Sequence, residues 1–443
     1  MGRSIQLFWS FLIFLTCVAS EDCAECSDAS SILHHKTMGR NVRPHHHHNH
    51  HHHPHHSHPR CRKPYPFIWD NDANYDDTLA FLYLAHSENL DWKAITIESD
   101  GMGTPHGGPT NIAAVAQLVG LGDVPIAMGG LSSLSPIATM PLQWRIETDE
   151  FFERQFESGI LEMTDKAIVD ETAPQLIVKI LKESECPVVI LTTGPATNVA
   201  EALDMDPSIA ENIQGIYMMG SAYGVPGTNN VYDWQMTYNG VKGSCTEDGG
   251  QTYTGLSPPL LKDGVKSAIR PECRGVDMTA HGDTEWNVFM DVRAWRMVYG
   301  FLEPSPADVY VLAANATLNM PVTLDEMEEY ASTLADEDLR VFVIELAKAF
   351  LAAGEAKWWD AQCAVVMDQV LSGKKIGVCS NWAEQKVTSV SLVWRSNLTD
   401  GELNPYGSIK DDEDAHAPPV DYCLDGNVTQ MWEVYWPMVN QTG

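Results

Sequence analysis

YPFIWDNDANYDDTLAFLYL, residues 65–84, decides how the chain folds. Phe67, Ile68 and Trp69 form a short apolar run of strand-prone residues. From Thr78 onward Leu79, Leu82 and Tyr83 recur at helical spacing. Between the predicted strand and the predicted helix stand Asp70, Asp72, Asp76 and Asp77. Like charges packed this tightly repel one another and resist burial, so the strand end needs something to neutralise them.

The same strand-then-helix rhythm continues outward. KAITIES (93–99) and VPIAMG (124–129) read as strands on either side of the helical TNIAAVAQLVGLG (110–122). QLIVKILKES (175–184), PVVILTTG (187–194), TNVAEALDM (197–205) and GIYMMG (215–220) repeat the alternation. The fold class is therefore α/β, an open Rossmann-like arrangement with a mostly parallel central sheet flanked by helices. Reactive groups belong in the loops at the carboxyl ends of the strands, where the acidic cluster lies. Near the end, VTSVSLVW (387–394) reads as a strand and VTQMWEVYWPMV (428–439) as a closing helix containing Pro437.

At 443 residues and 44% hydrophobic, the chain has enough apolar material for a large core. Residues 1–20 carry Arg3, an apolar run from Ile5 to Val18 and small residues at Ala19 and Ser20, the pattern of a secretory signal peptide, so the expected location is extracellular. Residues 21–62 are poor in apolar side chains and hold the tract PHHHHNHHHHPHHSHP, a linker with metal-chelating capacity. Residues 63–443 form the folded domain, interrupted at about 228–278 by a polar Gly-, Pro- and Thr-rich insertion that Cys245 and Cys273 could close. The sequons at Asn315, Asn397, Asn427 and Asn440 suit an exported glycoprotein, and an oxidising compartment would pair most of the cysteines that follow residue 20. A net charge of −32 excludes nucleic acid and acidic membrane surfaces as partners but leaves a small neutral substrate unaffected. A homo-oligomer is compatible with all of this.

Three readings compete for the acidic cluster. An EF-hand loop wants Gly where Tyr75 stands and Glu where Phe81 stands, and fails. An aspartyl nucleophile of phosphatase type lacks a lysine in phosphate-binding context. Helix capping accounts for Asp76 and Asp77 only. A hard divalent cation accounts for all four carboxylates.

At this point the sequence resembles a family. Asp70-x-Asp72-x-x-x-Asp76-Asp77 after a strand is similar to the signature of the calcium-dependent nucleoside hydrolases, the inosine-uridine family. TTGPATNVAEAL (192–203), IYMMGSA (216–222), TEWNVFMD (284–291) and WWDAQCAVV (358–366) resemble further family motifs, in the family's order. The resemblance implies that Asp72, Asp77, Asp360 and the Thr193 carbonyl ligate Ca2+, with Asp72 also taking the proton of the attacking water. It implies that Asp76, Glu285 and Asn287 hold the ribose hydroxyls while Asp70 supports the ligands from behind. The implied reaction is hydrolysis of the N-ribosidic bond of a nucleoside, giving free base and ribose.

Two departures bear on the substrate. Ala73-Asn74 replaces the family's Pro-Gly, and Trp359 stands where much of the family has a histidine acid. The purine-specific inosine-adenosine-guanosine subgroup shares that tryptophan and resembles this chain in EWN (285–287) and PLQWR (141–145). By that likeness Trp144 and Trp359 would sandwich a purine, Asp100 in ESDGMG (98–103) would meet the ribose, and Asn229 or Asn230 would supply a further ribose contact. A secreted nucleoside-binding protein that kept the fold and lost turnover is the alternative.

Overall fold

The computed structural model describes residues 62–130, 133–134, 140, 142–221, 285–303, 305–318, 320–353, 356–390, 409–411 and 419–441. The leader, the His-rich tract, Asn229 and Asn230 with the 228–278 insertion, and Asn397 lie outside the described residues.

A nine-stranded sheet carries the molecule, in the order β3-β2-β1-β4-β5-β6-β9-β7-β8. In chain order the strands are β1 (Tyr65–Asn71), β2 (Leu90–Ile97), β3 (Ile126–Met128), β4 (Val188–Thr192), β5 (Ile213–Met219), β6 (Asp308–Leu312), β7 (Cys379–Val390), β8 (Ile409–Asp411) and β9 (Pro419–Gly426). All neighbours from β3 to β9 pair parallel, whereas β7 runs antiparallel to both β9 and β8. The helices are α1 (Tyr75–Leu84), α2 (Gly107–Leu118), α3 (Leu142–Ser158), α4 (Ala173–Glu183), α5 (Thr197–Met205), α6 (Trp286–Met290), α7 (Val292–Leu302), α8 (Ala314–Thr317), α9 (Leu324–Ala331), α10 (Glu337–Ala353), α11 (Trp359–Leu371) and α12 (Val428–Val439).

The central strands β1, β4 and β5 are buried on both faces, as a sheet covered on both sides requires. Within β1, Phe67 and Trp69 enter the core that holds α1, α2, α10, α11 and α12, while Ile68 points to the opposite core with α5 and α7. Helix α4 shows the one-sided version of the pattern: Ala173, Leu176, Ile177 and Leu181 are buried, and Lys179 and Lys182 face water. Helix α1 has no polar side at all; every residue from Tyr75 to Leu84 is buried. Its start is capped within the acidic motif, where the Asn74 amide donates to Asp77 Oδ2 at 2.9 Å. Helix α12 does form and runs through Pro437, which lies in its last turn.

Strand order reverses between β1 and β4, and the crevice beyond their carboxyl ends is the place where open α/β sheets bind ligands. Three non-glycine residues at positive φ surround this rim: Ala73 (61°), Ala196 (63°) and Ser221 (73°), after β1, β4 and β5 respectively. A disulfide between Cys379 and Cys423 joins β7 to β9. Cys186 is also disulfide-bonded, and Cys363 is a buried free thiol. Of the sequons, Asn315 is a correction: its side chain is buried in α8, with no room for a glycan. Asn440 is exposed, and Asn427 is half-buried as the N-cap of α12. Among the described residues no helix is long and apolar enough to cross a membrane.

Candidate metal and nucleoside site

Asp70 and Asp72 leave the end of β1, Asp76 and Asp77 open α1, Thr193 follows β4, and Asp360 opens α11. One carboxylate oxygen each from Asp76, Asp77 and Asp360 lies within 4.8 Å of the others, all three side chains buried. Asp76 Oδ1 has no hydrogen-bond partner. Thr193 Oγ1 donates to Asp77 Oδ1 at 2.5 Å and itself receives the Trp69 indole N–H at 3.0 Å. Asp72 adjoins this trio by a hydrogen bond with Asp77 while its Oδ2 accepts from the Met102 amide at 2.9 Å. The tightest group thus contains Asp76, for which the sequence suggests a ribose contact, and Asp72 stands beside it.

Burial raises every one of these acids above its ordinary value, and neighbouring carboxylate charges add to it at Asp76, Asp77 and Asp360. Asp76 is pushed up to about 7 by burial and then by the Asp72 charge. Asp77 and Asp360 lie well above their ordinary value for the same reasons, and Asp72 is raised by burial against a hydrogen bond from Asp77. Buried carboxylates with an unpartnered oxygen and no nitrogen or sulfur donor among them fit a hard divalent cation such as Ca2+.

Behind the cluster, Asp70 accepts from Thr96 Oγ1 at 2.6 Å and Asn198 Nδ2 at 2.9 Å, and a hydrogen bond joins it to Glu98. Glu98 is raised well above its ordinary value, by burial first and the Asp70 charge next, and its carboxyl accepts from the Asn198 amide at 3.1 Å. Asp100 and Asp291 share one hydroxyl: Thr197 Oγ1 lies 2.8 Å from an oxygen of each. Asp100 is pushed up to about 8 by burial and then by the Asp291 charge, and its Oδ1 has no partner. Arg145, fully buried, donates to the Ser99 carbonyl at 2.8 Å and the Gly103 carbonyl at 2.5 Å, and its charge holds Asp72 and Asp100 down.

Glu285 and Asn287 close the other side. Glu285 caps α6, accepting from the Asn287, Val288 and Ser221 amides at 3.0, 3.3 and 3.2 Å; burial still lifts it to about 7. Asn287 Nδ2 donates to the Thr193 carbonyl at 3.2 Å and the Met219 carbonyl at 3.1 Å, which leaves its Oδ1 to accept from a ligand. Trp144 and Trp359 are both half-buried. Trp144 meets Trp286 edge-on at 5.5 Å and Trp359 lies 5.9 Å from Phe350, so each ring packs against an aromatic neighbour while staying partly open to solvent.

Glu98, Arg145, Thr197, Asn198 and Asp291 complete the site and were not singled out in the sequence. Each lies inside a motif quoted above; what hid them is that their partners are tens of residues away in the chain.

A family model described as inosine-uridine preferring nucleoside hydrolase matches residues 67–433. The pyrimidine-specific ribonucleoside hydrolase RihA of Escherichia coli O1:K1 is 34% identical over 161 residues, 36% of this chain and 49% of that protein. RihA of Citrobacter koseri gives the same figures. The chain thus spans about half the length of the curated relatives it matches. Among solved structures, the inosine-uridine preferring nucleoside hydrolase of Bacillus anthracis superposes with TM-score 0.60 at 16% identity, covering 85% of this chain and 100% of that one. The purine-preferring ribonucleoside hydrolase of Gardnerella vaginalis gives 0.57 at 17%, covering 85% and 98%. These structures share the fold, and the family match runs from β1 into α12 through every element that builds the carboxylate rim. On that match the chain belongs to the inosine-uridine preferring nucleoside hydrolase family.

Proposed function

We propose that this chain is a secreted, calcium-dependent hydrolase of purine ribonucleosides that releases free base and ribose. The observation that carries the reading is the buried Asp76, Asp77 and Asp360 trio beside Asp72, set at the strand-order reversal of a nucleoside hydrolase fold. Asp72, Asp77, Asp360 and the Thr193 carbonyl would hold the cation, with Asp76 close enough to share it. When bound, Ca2+ supplies a charge that cancels the carboxylate repulsion and lowers the pKa of water.

The chain's own residues do the rest. Asp72 takes the proton of the attacking water, its carboxylate held in place by the Met102 amide on Oδ2. Asn287 Oδ1, Glu285, Asp76 and Asp100 bind ribose hydroxyls, which positions C1′ and steadies the oxocarbenium-like transition state. Asp70, Glu98 and Asn198 keep the floor of the site in place. Trp359 and Trp144 offer aromatic surface to the base, and a purine, protonated at N7, needs the absent histidine acid less than a pyrimidine does. The apolar leader at residues 1–20 and the Cys379–Cys423 bridge support export.

The test is release of base and ribose from inosine, guanosine, adenosine, uridine and cytidine. Purine nucleosides turn over well and pyrimidine nucleosides poorly, and Trp359→Ala lowers purine turnover more than its effect on folding explains. A preference for uridine, as the name of the Escherichia coli relative describes for that enzyme, would overturn the purine assignment. Binding of nucleoside without release would establish the alternative, a ligand-binding protein on the same fold.

A further inference from the structure

We infer that Asn440 carries an N-linked glycan whose core sugars lie in an aromatic groove between α9 and α12. The groove, of about 610 Å³, is lined by Tyr330, Thr333, Trp432, Glu433, Trp436 and Asn440, and no residue of the carboxylate site reaches it. Trp432, Trp436 and Asn440 are spaced by four along α12 and form one stripe. The Asn440 amide donates to the Trp436 carbonyl at 3.0 Å and closes the last helical turn, and the chain then leaves the helix with the Asn440 side chain exposed. Asn440-Gln441-Thr442 is an acceptor sequon, so the attachment point and the groove meet at the same turn.

The groove has the chemistry of a saccharide site. Trp432 and Trp436 are parallel within 2° at 6.3 Å, and Tyr330 lies parallel to both at 5.1 and 5.3 Å. The half-buried rings of Trp432 and Tyr330 line the groove with aromatic surface suited to the apolar C–H face of a sugar, and Thr333 and Glu433 line it with groups that can meet its hydroxyls. Trp436 is 3% exposed, and its indole N–H has no hydrogen-bond partner. A buried donor is expensive to leave unpaired, and the carbonyl of an acetamido sugar would accept from it. Attachment forms a bond between Asn440 Nδ2 and the anomeric carbon of a lipid-diphosphate-linked oligosaccharide. The bond from that carbon to phosphate breaks, the lipid diphosphate leaves with the electron pair, the amide gives up one proton, and nothing is oxidised or reduced.

This inference rests on the export part of the reading above and not on hydrolysis. The full chain is therefore produced in eukaryotic cells behind an unrelated cleavable secretion signal, so that entry into the pathway does not depend on residues 1–20, and inosine turnover is not a readout. Peptide mapping should find Asn440 glycosylated and converted to aspartate when the glycan is released enzymatically. Release from the native protein should lower Tm by roughly 1–3 °C, and by less than half as much in Trp432→Ala. Tyr330→Ala takes its place if that variant is not recovered. Unmodified Asn440 in the secreted chain overturns the inference. So does a glycan whose release shifts wild type and variant equally, and so does self-association of Asn440→Gln that Trp432→Ala abolishes, which would give the groove to a second copy.

Discussion

Asp72 and its neighbour Gly101 show how closely one residue constrains another at this rim. A methyl group at position 101 would overlap Asp72 Cβ and Oδ2, so no other side chain fits beside the proposed base. Asp72→Asn keeps the shape and removes both the proton acceptor and the charge. It should fold with near-normal Tm and lose roughly 10²-fold or more in kcat. Gly101→Ala should lose activity comparably by displacing Asp72, although its own side chain does no chemistry. Inosine turnover and thermal melts of both variants check this, and near-wild-type turnover in either contradicts the assignment of Asp72. At this scale the sequence is legible for carboxylates, because four aspartates after a strand have few structural uses. It is much less legible for Arg145, Thr197 and Asp291. Their roles come from partners such as the Gly103 carbonyl and Asp100, which only the fold brings near.

Among the elements, those that build the site are the ones the sequence announces. β1 and β4 are continuous apolar runs, and α1 and α5 follow them within a few residues, so strand, loop and helix could be read as units. The five residues of β6 and the mutually antiparallel β7 and β9 are harder to read, because a short strand, or a half-exposed one toward the β8 edge of the sheet, leaves a weak pattern. That edge is where the Cys379–Cys423 bridge lies, across a separation of 44 residues. Removing it with Cys379→Ala and Cys423→Ala together should destabilise the fold by about 2–4 kcal/mol. The site lies at the ends of β1, β2, β4 and β5 and the starts of α1, α6 and α11, none of which carries the bridge, so turnover below the lowered Tm should change little. Denaturant midpoints of the oxidised, reduced and doubly substituted protein measure the effect, and equal midpoints would show that the bridge is dispensable.

For the whole molecule, buried acids couple stability to pH and to metal. Asp76 and Glu285 at about 7 and Asp100 at about 8 bind protons more tightly folded than unfolded, where carboxylates titrate near 4. These three groups therefore stabilise the metal-free protein most in acid, and their contribution drains away as pH rises from about 4 through about 8. A cation that needs Asp76 and the neighbouring Asp72, Asp77 and Asp360 ionised works in the opposite direction and stabilises most at the alkaline end of the same window. Melts at pH 5 and pH 8, each in chelator and in excess Ca2+, should show a large calcium effect at pH 8 and a small one at pH 5; a pH-independent effect would mean that the buried acids do not hold the ion. The central claim, that this rim hydrolyses nucleosides with the help of a bound cation, is tested most directly by inosine hydrolysis after exhaustive chelation and calcium add-back. The account predicts that ribose release falls to background in chelator and returns when Ca2+ is restored. Unchanged release in chelator would contradict it.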